Sequence, residues 1–253
     1  MKNIHSSFLN KAHVFCNGIN GKNILEVGCG NGNLIQTLTE IYKPEKGTGI
    51  DINCNNKTFS SICEIKKEDI RKTPFSDDTF DIILSEWTFE HVFDFELAIN
   101  EMYRILKNGG FLFTQFGPIW SAPHGHHLWY YHDSQFYTYN DVILPSFCHL
   151  LMQPSEILSF LTDKYDFNPS IIKGIVDYVF NSNDQNRLFF EDYQSIIKSS
   201  SFTELFFKGI SSDKLEDIYH NKITPDTFKK LNSKYNNHTN FLHNGITFLL
   251  TKD

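Results

Sequence analysis

The chain has 253 residues, of which 40% are hydrophobic and 21% charged. That composition suffices to bury a core and excludes a disordered polymer. The formal net charge of -7 repels a phosphate backbone, so nucleic acid is not expected as a partner. The five cysteines, Cys16, Cys29, Cys54, Cys63 and Cys148, are odd in number and hold no Cys-x-x-Cys pair, which speaks against a disulfide framework or a zinc ribbon. Neither a secretory leader nor a run of ~20 apolar residues is visible, so the expectation is a cytoplasmic protein without a membrane span.

In chain order, Asn23–Val27 is a short apolar strand that runs into a glycine cluster. A helix follows over residues 34–42 and a second strand over 47–52. Residues 80–85 (FDIILS) form a continuous apolar run, as buried parallel strands do. Over 95–106, Leu97, Ile99, Met102, Ile105 and Leu106 have helical spacing, and Asn108-Gly109-Gly110 is the stop signal. Residues 111–116 make the next strand. Strands alternating with helices imply βαβ units and a mostly parallel sheet. Residues 118–139 lack a clear period and are dense in His, Tyr and Trp. Helices are expected over 154–165, 170–180 and 190–198, and a strand over 203–208. The segment 211–240 is polar and helical in part, and Gly245–Thr251 closes the chain as a strand.

The segment ILEVGCGNGN carries Gly28, Gly30 and Gly32 between a strand and a helix. Glycine there permits positive φ and close backbone approach to a ligand. The helix start offers free amide donors and a positive dipole end. The dinucleotide fingerprint needs a third glycine where this chain has Asn33, so a nicotinamide-dependent oxidoreductase is the alternative and not the leading reading. Asp51 ends the next strand, where an acid accepts hydrogen bonds from ribose hydroxyls in either cofactor class.

These stretches resemble the class I S-adenosylmethionine-dependent methyltransferases. The resemblance is carried by ILEVGCGNGN, GTGIDIN, EDIRKTPFSDDTFDIILSEWTFEHV and MYRILKNGGFLFT, in family order over residues 24–117. It implies a Rossmann-like α/β fold with a seven-stranded sheet, helices on both faces, a last strand running antiparallel and a His- and aromatic-rich lid insertion after the fifth strand. It divides the chain into a cofactor-binding core (1–117), an acceptor-binding lid (118–187) and a completion of the core sheet (188–253). The implied cofactor is S-adenosylmethionine, leaving as S-adenosylhomocysteine. By resemblance Gly28, Gly30 and Gly32 wrap its methionine part, and Glu26 supports the loop. Asp51 holds the ribose, Ile52 lies against the adenine, and Asp69 and Ile70 meet the adenine edge. Ser85, Glu86 and Trp87 line the methyl-transfer side.

The stretch FGPIWSAPHGHHLWYYHD leaves the sheet where parallel strands bind ligands, at their carboxyl ends. With LPSFCHLL it resembles methyltransferases of sugar and surface-polysaccharide modification. That implies a small or glycan-linked acceptor, methylated on a sugar hydroxyl or a phosphate or phosphoramidate oxygen in capsule building. A hydroxyl must lose its proton, and a histidine near its ordinary pKa of ~6.5 accepts one. His126 and His127 are the candidate bases. His91, His124, Trp129, Tyr130 and His149 are candidate acceptor contacts, with structural hydrogen bonding and lid packing the plainer alternatives. A divalent metal on His124, His126, His127 and Asp133 is a further alternative, with no standard zinc spacing behind it. A nitrogen acceptor and a cofactor-binding module without catalysis also stay open. No metal is assigned, and the sequence is silent on oligomeric state.

Overall fold

A computed structural model describes residues 5–211 and 223–253. The chain divides into two units. The first contains residues 1–116, 194–208 and 246–253, and the second contains 117–193 and 209–245.

The first unit begins with α1 (Ser6–Phe15), β1 (Asn23–Val27), α2 (Asn33–Tyr42) and β2 (Lys46–Ile50). A hairpin of β3 (Lys57–Ser60) and β4 (Cys63–Lys66) follows, then β5 (Phe80–Glu86), α3 (Phe95–Ile105) and β6 (Leu106–Phe116). Pairing order is β3-β4-β2-β1-β5-β6, and the C-terminal strand β10 (Gly245–Thr251) and then β9 (Thr203–Ile210) complete the row beyond β6. The β1–β2, β1–β5, β2–β4 and β5–β6 pairs are parallel, and β10 runs antiparallel to β6. The sheet therefore has eight strands, not the expected seven. The extra strand is β3, which folds back antiparallel on β4 at the sheet edge. Its KTFS sequence is largely exposed and lacks an apolar alternation to betray it.

Helices cover both faces, because the strands alternate. Ile24, Ile82, Leu84, Phe113 and Leu249 pack with Phe8 and Leu9 of α1 and with Leu34, Ile35 and Leu38 of α2. On the opposite face Phe89 stacks with Phe248 and meets Phe116 and Phe95. Each such enclosed side chain contributes on the order of 1.5–3 kcal/mol. The stripe of α3 is Phe95, Ala98, Ile99, Met102 and Ile105. Leu97, grouped with that stripe in the sequence reading, falls off the i, i+3, i+4 spacing and is exposed. The Asn108-Gly109-Gly110 stretch does not separate helix from strand. It lies inside β6 as an irregularity, where the pairing shifts from Phe80 with Leu106 to Ile82 with Phe111.

The second unit holds the hairpin β7 (Trp129–His132) and β8 (Gln135–Thr138), then α4 (Cys148–Leu151), α5 (Pro154–Lys164), α6 (Pro169–Asn181), the start of α7 (Phe190–Ser199) and α8 (Pro225–Lys234). One apolar cluster joins Tyr137, Ile157, Leu161, Ile172 and Ile175. Another joins Phe147, Leu150, Phe189, Leu231 and Phe241. This second cluster includes Leu231 and Phe241, which the sequence reading placed with the completion of the core sheet over 188–253. Of the segment 211–240, residues 212–222 lie outside those described. Among the described residues no helix is long and apolar enough to cross a membrane.

Candidate active site

The carboxyl ends of β1, β2 and β5 form the site in the first unit. Gly28, Gly30 and Gly32 have φ of 79°, 49° and 85°, all in the left-handed region that other residues rarely adopt. At Gly28 the need is also spatial, since a Cβ there would lie 2.0 Å from Thr88 Oγ1. At Gly30 a Cβ would meet nothing within 4 Å, so the demand is the backbone angle beside open space. The amides of Gly28 and Cys29 both donate to Ile50 O at 2.8 and 3.0 Å, which ties the turn to the end of β2. Asp51 adds a second tie, accepting Gly30 N–H at 3.0 Å on Oδ2 and Asn53 N–H at 2.7 Å on Oδ1. Beside it Ile52 is 56% exposed.

Glu26 is buried, and its Oε2 has no hydrogen-bond partner. Burial, opposed by the Ile35 amide and reinforced by Glu86 and Asp51, holds its carboxyl up at about 8. Glu86 closes β5, with His5 Nδ1 2.7 Å from Oε2 and Gln115 Nε2 donating to Oε1 at 3.1 Å. Burial raises the Glu86 carboxyl as well. Ser85 is wholly buried, and its hydroxyl donates to Val27 O at 3.0 Å, so it braces β5 against β1. Trp87 follows with φ 56° and a half-exposed indole. A bulky residue held at positive φ is strained, and such strain gathers at functional turns. His91 ends the short helical turn Phe89–His91 just beyond. Asp69 is engaged by Arg71, whose Nη2 lies 2.7 Å from Oδ2 and whose Nε lies 3.1 Å from both oxygens. Those hydrogen bonds lower the Asp69 carboxyl. Ile70 beside it is buried.

Sequence reasoning missed His5 altogether. No periodic signal links residue 5 to residue 86, and only the packing of α1 on the sheet brings them together.

The second unit gathers His124, His126 and His149, all buried. Ring centroids are 5.5 Å apart for His124 and His126, and 5.8 Å for His126 and His149. His149 Nε2 donates to Trp120 O at 2.7 Å, and its ring meets the Trp120 indole edge-on. Burial lowers His149 to about 3 and His124 to about 4, and it takes His126 well below the usual imidazole range. His126 Nδ1 accepts the Leu128 N–H at 3.1 Å, which leaves the ring's proton on Nε2. His127, the next residue, instead sets Nδ1 3.1 Å from Asp184 Oδ2 and stacks on Tyr139. Asp133 lies 3.3 Å from His132 and is 81% exposed, whereas His124 and His126 are buried. On the β7–β8 hairpin Trp129, Tyr131 and Phe136 share one exposed face, with Tyr131 and Phe136 4.7 Å apart. Tyr130 turns inward toward α6, where a Cβ on Gly174 would lie 2.1 Å from its hydroxyl.

The first unit is thus an open α/β sheet with a positive-φ glycine turn, an acid-ended second strand and an antiparallel last strand. A methyltransferase domain family matches residues 25–114. The fatty-acid O-methyltransferase of Mycolicibacterium smegmatis is 31% identical over 112 residues, 42% of this chain and 41% of that protein. The structure of an S-adenosylmethionine-dependent methyltransferase from Mesorhizobium loti superposes with a TM-score of 0.55 at 13% identity, covering 98% of this chain and 97% of that one. Haemonchus contortus phosphoethanolamine N-methyltransferase 2, in complex with S-adenosyl-L-methionine, gives a TM-score of 0.53 at 14% identity over 97% of this chain and 52% of that one. The fold is that of S-adenosylmethionine-dependent methyltransferases, residues 25–114 match a methyltransferase domain, and S-adenosylmethionine is the cofactor. The residues fit it: Gly30 faces open space, Ile52 offers an uncovered apolar surface, and the orphaned Glu26 oxygen suits a cationic group. The sequence shared with the mycobacterial relative covers less than half of either protein and so says nothing of the acceptor.

Proposed function

We propose that this chain transfers a methyl group from S-adenosylmethionine to an oxygen of a small, lipid-type or glycan-linked acceptor. The observation that carries the reading is the positive-φ glycine turn held to Asp51 at the end of β2. When bound, the cofactor supplies an electrophilic methyl group on a sulfonium. Gly28, Gly30 and Gly32 hold its methionine portion, Asp51 its ribose, and Ile52, Asp69 and Ile70 its adenine. Trp87 and Glu86 stand on the methyl side.

His127 is the base in this reading, and His126 is a hydrogen-bond donor. A general base needs a lone pair free for the acceptor's proton. The lone pair of His126 Nδ1 already accepts the Leu128 amide, whereas Asp184 orients the His127 ring through Nδ1. Alignment of oxygen, methyl and sulfur supplies much of the rate of such an in-line displacement. The exposed Trp129, Tyr131 and Phe136 suit the flat apolar face of a sugar or an acyl chain. The relative's name adds a fatty acid to the glycan-linked oxygens expected from the loop at 116–133. Incubating the purified chain with S-adenosylmethionine and a panel of fatty acids, hydroxylated lipids and nucleotide sugars tests this. Gain of one methyl by one acceptor class, with S-adenosylhomocysteine formed, supports the reading. Cofactor binding with no turnover on any oxygen acceptor overturns it.

A further inference from the structure

We propose that Glu26 carries a proton in the free protein and surrenders it to solvent when the ammonium group of the bound methyl donor docks against its carboxylate. This rests on the turn at Gly28 being the S-adenosylmethionine site.

Strand register supplies the geometry. Glu26 sits opposite Gly49 of β2 and Leu84 of β5. Residues two further along a strand point to the same face. Asp51 and Glu86 therefore join Glu26 on one face, at the carboxyl ends of three adjacent strands spaced ~4.8 Å apart. That face is the one covered by α1 and α2.

Two of the three carboxylates are supplied with donors. Asp51 has the Gly30 and Asn53 amides, and Glu86 has His5 and Gln115. Glu26, only 4% exposed, has the Ile35 amide acting on it and an Oε2 with no partner. The other titratable groups about this cluster are Lys11 of α1, which acts on Glu86, and the thiols of Cys29, Cys54 and Cys63. His5 and Lys11 thus serve Glu86, and Glu26 faces two further carboxylates. An enclosed carboxylate in that setting is stabilised by taking up a proton or by receiving a cation. The raised Glu26 carboxyl, at about 8, agrees.

An alkylammonium is the ligand chemistry that complements the orphaned oxygen. On docking, the Glu26 O–H bond breaks, the proton passes to buffer, and the carboxylate accepts a hydrogen bond from the ammonium. Affinity then rises with pH wherever free Glu26 is protonated. From pH 6 to 7.5 the gain is about twentyfold if the bound carboxyl titrates well below pH 6. Above that window the ligand's own α-amino group begins to titrate, near 7.7–8.0.

The test is calorimetric titration of the whole chain with S-adenosylmethionine at pH 6.5, in two buffers of different ionisation enthalpy. Release of close to one proton per cofactor is expected, and Glu26→Gln should release almost none and bind with little pH dependence. Difference infrared spectra of the wild-type chain should show a protonated-carboxyl C=O stretch lost on binding, which needs no variant to fold. Cofactor binding without proton release, or equal release from Glu26→Gln, overturns the proposal and leaves the cofactor reading standing. Absence of any binding overturns both.

Discussion

Gly30 donates its backbone N–H to Asp51 Oδ2 at 3.0 Å, so the acid that ends β2 also holds the turn that follows β1. The same carboxylate accepts the Asn53 amide, and its remaining lone pairs are the ones a ribose would use. Asp51→Ala removes both. Hydrogen bonds to a charged group are worth roughly 1.5–3 kcal/mol, so affinity for S-adenosylmethionine should fall about tenfold to a hundredfold. Asp51→Asn keeps one acceptor oxygen and should lose less thermal stability than the alanine variant. Calorimetry and thermal melts on the two variants separate the roles, and unchanged affinity in Asp51→Ala would remove Asp51 from the site.

Gly28 is constrained twice, by φ of 79° and by Thr88. Gly28→Ala should destabilise the chain by roughly 1–3 kcal/mol, combining left-handed strain with overlap against the Thr88 side chain. Thr88→Ala removes the overlap and leaves the strain. The double variant should therefore recover part, and not all, of the loss. Denaturant unfolding of both singles and the double measures this, and strict additivity would show that the Thr88 contact is unimportant.

The glycine turn was legible because backbone angle dictates residue type there, and β1 and β10 were legible because each is a short, mostly apolar run between turn residues. Short β3 and β4 were not, since their register comes from pairing at the sheet edge and not from composition. The hairpin β7–β8 was hidden in the same way, because aromatics fill both of its faces. Spacing drew out the glycine turn and Asp51, and the family resemblance named the other candidate cofactor residues, but neither named their partners. Nothing in the sequence ties Asp69 to Arg71, Ser85 to Val27 or Glu86 to His5. For His126 and His127, adjacent residues of the same type, the chain alone gives no means of separating one held by Leu128 from one held by Asp184.

His124, His126 and His149 should make the chain sensitive to acid. Burial depresses all three, to about 4 for His124, well below the normal range for His126 and to about 3 for His149. Unfolded histidines take up protons near pH 6.5, so below that pH the unfolded state binds more protons than the folded one. Stability is then fully present above pH 6.5 and is lost as pH falls toward 4, on the order of 1.4 kcal/mol per pH unit for each histidine. Urea unfolding at pH 7.5, 6 and 5 should show a steepening loss, and His149→Gln should reduce the slope. An unchanged slope in that variant would mean that His149 titrates alike in both states.

His126→Ala and His127→Ala should fail in different ways. Replacing the buried His126 opens a cavity and leaves the Leu128 amide without its acceptor, so the main loss should be in stability, roughly 2–4 kcal/mol. His127 lies against Asp184 and Tyr139, and its removal should cost turnover. A lost general base lowers kcat by about 10²–10⁴ while leaving cofactor affinity in place. Asp184→Asn should reproduce part of that loss, since it leaves the imidazole in position with a weaker partner for Nδ1. Measuring kcat, cofactor affinity and melting temperature on all three variants decides the assignment. Full turnover in His127→Ala would end the base role for His127, and a normal melting temperature in His126→Ala would end the structural role given to its neighbour.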